Sequence, residues 1–240
     1  MIETKSGAKL DVRVYPIEEP EGNTKAFANV AIDDLVVIRG LRIVDSEKGL
    51  FVSMPQAQDT HGDFYDTAFP LTSDLRKDIS QIVLVEHDRV TKLAPEQRGY
   101  EKRNLEAAGK IDIANVGLDI RVTPLRFPKR GTKAYASVSV NGLVAIRDIR
   151  VVGGRKDLFV AMPQSQGKDK KYHDVAYPLN ADLRNKIHNG ILEKYEAERP
   201  AHHKPPRPTL DERLAAGAER AAGHVTPDRA IAKGPPGLGA

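Results

Sequence analysis

Two short runs of positive charge mark this 240-residue chain: Arg126-Phe-Pro-Lys129-Arg130 and Lys168-Asp-Lys170-Lys171. Arg184 and Lys186 follow at the start of a helical pattern. Cations at this density neutralise phosphate, so the expected partner is the backbone of DNA or RNA. At a helix start, free backbone amides add to the attraction for phosphate. Tyr172 and His173 come directly after Lys170-Lys171 and offer faces on which an unpaired base can stack. A blander reading stands beside this one. The basic loops are solvated, opposite charges draw parts of the chain or its subunits together, and the aromatics anchor a loop to a sheet.

Other chemistry is harder to find. The chain has no Cys, which excludes disulfides, thiolate metal sites and cysteine nucleophiles. Gly153-Gly154 is not followed by the Gly-Lys-Ser/Thr of a phosphate-binding loop. His202-His203 lacks the i, i+4 spacing of helical zinc ligands. The expectation is a non-enzymatic protein with no catalytic residue, no metal and no cofactor. No apolar stretch reaches the length of a secretory leader or a membrane span, so no membrane partner is expected and the expected location is the cytoplasm.

The basic residues sit inside a repeated framework. Shifting the chain by 108 residues aligns Leu10–His87 with Leu118–Tyr195 without a gap, with 34 identities over 78 positions. Chance likeness does not hold register that far; the chain carries two tandem copies of one unit. A unit of this size can hold a small core, and the period is too long for a stacked solenoid. With aromatics at 5% and no Trp, that core is aliphatic.

Each copy reads the same way. "LDVRVYPI" alternates apolar and polar residues as a half-buried strand does, and "TKAFANVAI" and "LVVIRGLRIV" follow. Asn141-Gly142 is a strong two-residue hairpin signal, and Asp33-Asp34 is its weaker counterpart. A short apolar strand then stops at Pro55 or Pro163. After Pro70 or Pro178 the period lengthens to that of a helix, with Leu75, Ile79, Val83 and Leu183, Ile187, Ile191 on one face. Thr72 or Ser73 caps the first helix and Asn180 the second. The fold class is α+β: two copies of an antiparallel β-meander sheet covered by one C-terminal helix, packed as an intramolecular pseudo-dimer. Arg39 and Arg42, like Arg147 and Arg150, stand at i, i+3, which places them on opposite faces of a regular strand; structural ion pairing, for instance with Asp11/Asp119 or Asp66/Asp174, is expected ahead of ligand contact.

The order Asp148-Ile-Arg-Val151, Leu158-Phe-Val-Ala-Met-Pro163, Ala176-Tyr-Pro-Leu-Asn180, then Arg184, Ile187 and Leu192 resembles the stage V sporulation protein G (SpoVG) family. Copy 1 carries Gly49-Leu-Phe-Val-Ser-Met-Pro55, Ala68-Phe-Pro-Leu71, Arg76, Ile79 and Leu84 in the same order. The resemblance implies small bacterial regulators linked to septation and sporulation. It also implies single domains that pair into dimers and bind DNA or RNA, with the C-terminal helix in the contact. Here two copies are fused, so copy 1 is expected to pair with copy 2 in the same chain, with a homo-oligomer as a further possibility.

Charge divides the copies. Leu10–His87 holds 7 Lys/Arg against 14 Asp/Glu, a net of −7; Leu118–Tyr195 holds 15 against 7, a net of +8. Aligned positions are reversed outright, among them Asp78/Lys186 and Glu86/Lys194. Copy 2 is therefore the expected binder of phosphate, through Arg126, Lys129, Arg130, Lys168, Lys170, Lys171, Arg184 and Lys186, with copy 1 as its platform. The expected domains are 8–90 (acidic), a partly helical linker at 91–115, 116–198 (basic), and a largely disordered Pro/Gly/Ala-rich tail at 199–240. Within the tail, Thr209-Leu-Asp-Glu212 is a capping box that opens either a transient helix or one that docks on a protein partner.

Overall fold

The computed structural model describes residues 2–98, 112–155, 157–167 and 170–199. The tail helix expected near 209 and residues 99–111 of the linker expected to be partly helical lie outside the described residues. Copy 1 runs β1 (Ile2–Glu3), β2 (Lys9–Pro16), β3 (Thr24–Ile32), β4 (Val36–Ser46), β5 (Gly49–Ser53), β6 (Gln56–Gln58), β7 (Phe64–Asp66), β8 (Ala68–Pro70) and α1 (Ser73–Thr91). Copy 2 repeats it as β9 (Leu118–Lys129), β10 (Thr132–Val140), β11 (Val144–Gly153), β12 (Leu158–Ala161), β13 (Gln164–Gln166), β14 (Tyr172–Asp174), β15 (Ala176–Pro178) and α2 (Ala181–Glu198). Each copy is an antiparallel meander with one C-terminal helix.

Local rules account for these elements. Leu10, Val14, Ala28, Val30 and Ile32 point to the helix side and are buried, as the two-residue period of the strands requires. Leu75, Ile79 and Val83 of α1 and Leu183, Ile187 and Ile191 of α2 are fully buried against those faces. Each such side chain contributes about 1.5–3 kcal/mol of burial. Thr72 Oγ1 accepts from Leu75 N at 3.2 Å, and Asn180 Oδ1 accepts from Asp182 N at 2.7 Å, so both helices are capped. The β3–β4 and β10–β11 turns place both central residues at positive φ: 51° and 58° at Asp33-Asp34, 51° and 64° at Asn141-Gly142. Aspartate holds the same left-handed turn in copy 1 that Asn-Gly holds in copy 2. Among the described residues no helix is long and apolar enough to cross a membrane.

One feature of the strands breaks the regular pattern. Ala28 pairs with Leu41 and Asn29 with Arg39, so Gly40 is an extra residue, a β-bulge at φ 74°. Asp148, at φ 58°, is the extra residue of copy 2. The added residue resets the alternation. Ile38, Leu41 and Ile43 all point to the core, so Arg39 and Arg42 share the opposite face rather than lying on opposite faces. The same holds for Arg147 and Arg150, around buried Ile146, Ile149 and Val151.

The copies are joined through strand edges. β4 is longer than its neighbour β5, which covers only Arg42–Ser46. The remaining edge, Val36-Val37-Ile38, is apolar, and an open edge of that kind invites uncontrolled pairing. It is covered by β15 of copy 2: Ala176 pairs with Ile38, Tyr177 with Val37 and Pro178 with Val36. Reciprocally, β8 of copy 1 pairs with β11 of copy 2, Ala68 with Ile146 and Pro70 with Val144. Backbone bonds extend both seams: Arg39 N to Val175 O and Arg147 N to Thr67 O at 2.7 Å, Leu179 N to Leu35 O and Leu71 N to Leu143 O at 2.8 Å. Buried residues of both copies form one continuous apolar cluster.

Because each copy lends a strand to the other, residues 1–98 alone leave the Val36–Ile38 edge open and β8 without a host. The full chain is expected to melt in one cooperative transition, and the 1–98 fragment to self-associate or unfold. A monomeric fragment melting at the Tm of the full chain, measured by circular dichroism and sedimentation, would refute this.

Candidate functional site

The strand exchange carries each copy's β-hairpin over the other copy's sheet. These hairpins, β6–β7 and β13–β14, are held by a repeated set of side chains. Gln56 Nε2 donates to Asp66 Oδ1 at 3.2 Å and Gln164 Nε2 to Asp174 Oδ1 at 2.9 Å. Gln58 Nε2 donates to Gly62 O at 2.9 Å and Gln166 Nε2 to Lys170 O at 3.0 Å. The repeated glutamines and the repeated aspartate therefore close loops.

The two hairpin arms differ in what they leave free. In the arm made by β6–β7 over copy 2, the Tyr65 hydroxyl donates to Asp148 Oδ2 at 2.8 Å. The Arg147 guanidinium lies 5.4 Å from the Tyr65 ring centroid. Arg76 pairs with Asp66 at 3.1 Å. Burial and the Asp148 carboxylate push the Tyr65 hydroxyl up to about 12. Both arginines and both carboxylates of this arrangement are engaged.

In the arm made by β13–β14 over copy 1, Gly40 stands where copy 2 has Asp148, and His173 where copy 1 has Tyr65. Arg39, Tyr172, His173, Asp174, Tyr177 and Arg184 line a cleft of about 310 Å³. Neither the Arg39 nor the Arg184 guanidinium has an ion-pair or side-chain hydrogen-bond partner among the described residues. Arg184 also acts on His188, one turn along α2: burial first, then the Arg184 charge, lowers the His188 pKa. Two guanidiniums unpaired among the described residues, beside three aromatic rings, have the chemistry to hold an anion.

Of the expected basic residues, Arg184 converges here, together with the expected stacking residues Tyr172 and His173. Lys170 and Lys171 are exposed at the tip of the same hairpin, and Lys168 lies outside the described residues. Arg126 is exposed on a ribbon formed where β9 runs past Pro124, its guanidinium 5.5 Å from the Phe127 ring centroid. Lys129 ends β9, with its side chain outside the described residues, and Arg130 turns the ribbon at φ 48°. Lys186 is placed differently. Its Nζ donates to Ile113 O at 2.9 Å, Ala114 O at 3.2 Å and Val116 O at 2.9 Å, using all three protons on the segment that leads into β9. The aligned Asp78 plays the complementary part. Ser6 N donates to its Oδ2 at 3.0 Å, and that bond holds its carboxyl below the usual range. Lys194 Nζ donates to Ile120 O. The reversal between Asp78 and Lys186 thus exchanges one backbone-anchoring device for another.

Two residues of this cleft are not apparent in the linear sequence. Arg39 belongs to the acidic copy and recurs in both copies, so nothing in its local context marks it. Tyr177 reads as a plain strand residue until β15 is seen to pair with β4. The expected pairing of the repeated arginines with Asp11 or Asp66 does not form. Arg42 donates to Ser53 Oγ at 3.3 Å and Gln56 Oε1 at 3.1 Å, while Asp11 lies 4.0 Å from Arg13 and Asp66 takes Arg76.

Lys186→Met should lower stability by about 1–3 kcal/mol in denaturant unfolding, because three carbonyls lose a charged donor. An unchanged midpoint would show that those bonds carry nothing. In alkaline titration followed by tyrosinate absorbance, one of the seven tyrosines should stay protonated to about pH 12, and Tyr65→Phe should remove that late step. The fold favours the protonated hydroxyl. Its contribution is therefore complete below the unfolded pKa of about 10 and fades as pH rises towards the folded value.

Comparison with known proteins agrees with the two-copy reading. A family model described as SpoVG matches residues 8–89 and 117–197. A protein of Myxococcus xanthus (strain DK1622) named "Putative septation protein SpoVG" is 42% identical over 78 residues, 32% of this chain and 77% of that relative. One of the same name from Staphylococcus aureus (strain MRSA252) is 33% identical over 97 residues, 40% of this chain and 96% of the relative. A Listeria monocytogenes (serotype 4b, strain F2365) protein, numbered SpoVG 2, is 39% identical over 80 residues, 33% of this chain and 78% of the relative. Each relative thus corresponds to about one copy of the unit. The chain belongs to the SpoVG family, as a form that carries the family's domain twice.

Proposed function

We propose that this chain is a non-enzymatic, cytoplasmic regulator that binds DNA or RNA through the β13–β14 arm and the Arg126–Arg130 ribbon, and that acts in septation or a sporulation-type process. The septation link comes from the names of its relatives, and the regulatory link from the family resemblance. In this reading the exchanged strands let one chain stand in for a pair of single-copy relatives. Copy 1 is more than a platform, because it supplies Arg39.

The observation that carries the proposal is the contrast between the arms. Structural arginines are paired off, as Arg76 and Arg147 are in the β6–β7 arm. Among the described residues, the Arg39 and Arg184 guanidiniums have no partner and share one cleft with aromatic rings. The one carboxylate there, Asp174, is occupied by Gln164. Phosphate is the complementary ligand, since a planar guanidinium binds it in bidentate fashion and the rings accept adjacent bases.

The test is titration of labelled DNA and RNA oligonucleotides over a range of salt. If Arg39, Arg126, Arg130, Lys170, Lys171 and Arg184 all meet phosphates, the log-log salt slope should be about −5. The double variant Arg39→Gln/Arg184→Gln should bind at least ~10-fold more weakly, with a slope shallower by about 2, whereas Lys186→Met should keep the wild-type slope. A wild-type slope in the double variant would overturn the assignment. No nucleic-acid binding at all, with salt-sensitive self-association in sedimentation, would support the alternative: an assembly module whose opposite charges join subunits.

A further inference from the structure

A larger cleft adjoins the arginine site and shares Arg39, His173 and Asp174 with it. It measures about 890 Å³ and lies between the outer face of the copy 1 sheet and the β13–β14 hairpin. Tyr15 and Phe27 form its floor, Pro16, Ile17 and Glu18 one wall, and Asn29, Gln166 and the open backbone of Gly40 further parts of the lining. Tyr15 is 44% exposed and Phe27 37% exposed, so two aromatic side chains border the opening.

In the other arm the ring at the position of His173 is Tyr65, and it is held by the opposite sheet. There the Tyr65 ring lies beneath Arg147, with its hydroxyl on Asp148. The sheet position that supplies the Asp148 acceptor is Gly40 in copy 1, where an added Cβ would meet no atom within 4 Å. The fold thus displays an occupant for one of two equivalent places: a planar ring under an arginine, with its polar edge on a hydrogen-bonding group. In the other, the smaller His173 ring stands at that position, Gly40 offers no acceptor side chain, and the arginine is unpartnered among the described residues.

We infer that the cleft of about 890 Å³ accepts an unpaired nucleobase, stacked on Tyr15 and Phe27 under Arg39, with its flanking phosphate at Arg39 and Arg184. This rests on the proposed nucleic-acid binding and deepens it: the ligand is single-stranded DNA or RNA, not duplex. A paired base has its edge and both faces engaged within the stack, and cannot enter a slot between a sheet and a hairpin without first being unpaired. The charge of the cleft is graded to suit, with guanidiniums where the phosphate lies and the acceptor-only Glu18 carboxylate available for base N–H groups.

The test refills the cleft with the chain's own solution from the other arm. Gly40→Asn combined with His173→Tyr recreates the ring and its acceptor without adding charge, and asparagine tolerates the positive φ of position 40, 74°. The probes are DNA and RNA oligonucleotides carrying 2-aminopurine, single-stranded and annealed to their complements, and the readouts are affinity and quenching of the probe's fluorescence on stacking. The wild-type protein should bind the single strands at least tenfold more tightly than the duplexes and quench them. The filled variant should lose at least tenfold in affinity and most of the quenching while keeping the wild-type Tm. Tyr15→Ala, which empties the floor, should also lose quenching. The stronger of the DNA and RNA arms identifies the source of the base. Wild-type affinity and quenching in the filled variant, or equal binding of duplex without quenching, would overturn the inference and leave the arginine site standing. Failure of every oligonucleotide to bind would overturn both.

Discussion

The reciprocal pairing of short strands across the two copies, β15 on β4 and β8 on β11, is the constraint on which the other features depend. It covers two apolar edge segments that neither copy can cover itself. Because the strands leave their own copy to do so, the hairpins that precede them are carried onto the opposite sheet. The clefts are therefore made jointly. Arg39 lines one cleft with Arg184 and Tyr177 only because Ala176–Pro178 is hydrogen-bonded beside Val36–Ile38. The β-bulge at Gly40 is the second requirement, since the extra residue keeps Ile38 and Leu41 in the core while Arg39 and Arg42 share the opposite face.

Duplication freed the two arms to diverge. In an assembly of identical subunits, a change at Gly40 or His173 would appear in both arms at once. In a fused chain each arm changes alone. One has become self-satisfied, with Tyr65, Asp148, Arg147, Asp66 and Arg76 all engaged. In the other, Arg39 and Arg184 have no side-chain partner among the described residues. The opposite net charges of the copies are part of the same divergence, but charge alone does not tell what each charged side chain does. Lys186 and Asp78 carry opposite signs because one addresses backbone carbonyls and the other a backbone amide, each tying down the segment that precedes its first long strand.

Much of the framework was legible in the sequence because it rests on local rules. The period-2 strands, the helical stripes at Leu75–Ile79–Val83 and Leu183–Ile187–Ile191, the caps and the left-handed turns are each set by residues within a few positions of one another. The site was legible only in part. Arg184, Tyr172 and His173 could be nominated from composition. Arg39 could not, because its meaning comes from a strand more than a hundred residues away. Lys186 shows the converse: its carbonyl partners at Ile113, Ala114 and Val116 leave no trace in a count of charges. The bulge too was hidden, since Gly40 and Asp148 look like ordinary strand interruptions until the register shows an extra residue. The missing information is long-range hydrogen bonding in every case.

Native-state hydrogen exchange of the Arg39, Arg147, Leu71 and Leu179 amides measures those long-range bonds directly. If the copies exchange strands as described, these four amides donate across the seam and should be protected to nearly the same degree as core amides of β3 and β10, opening only with global unfolding. Exchange at the rate of an exposed loop, with the β3 and β10 amides still protected, would mean that the seam does not hold and that the jointly built cleft does not exist.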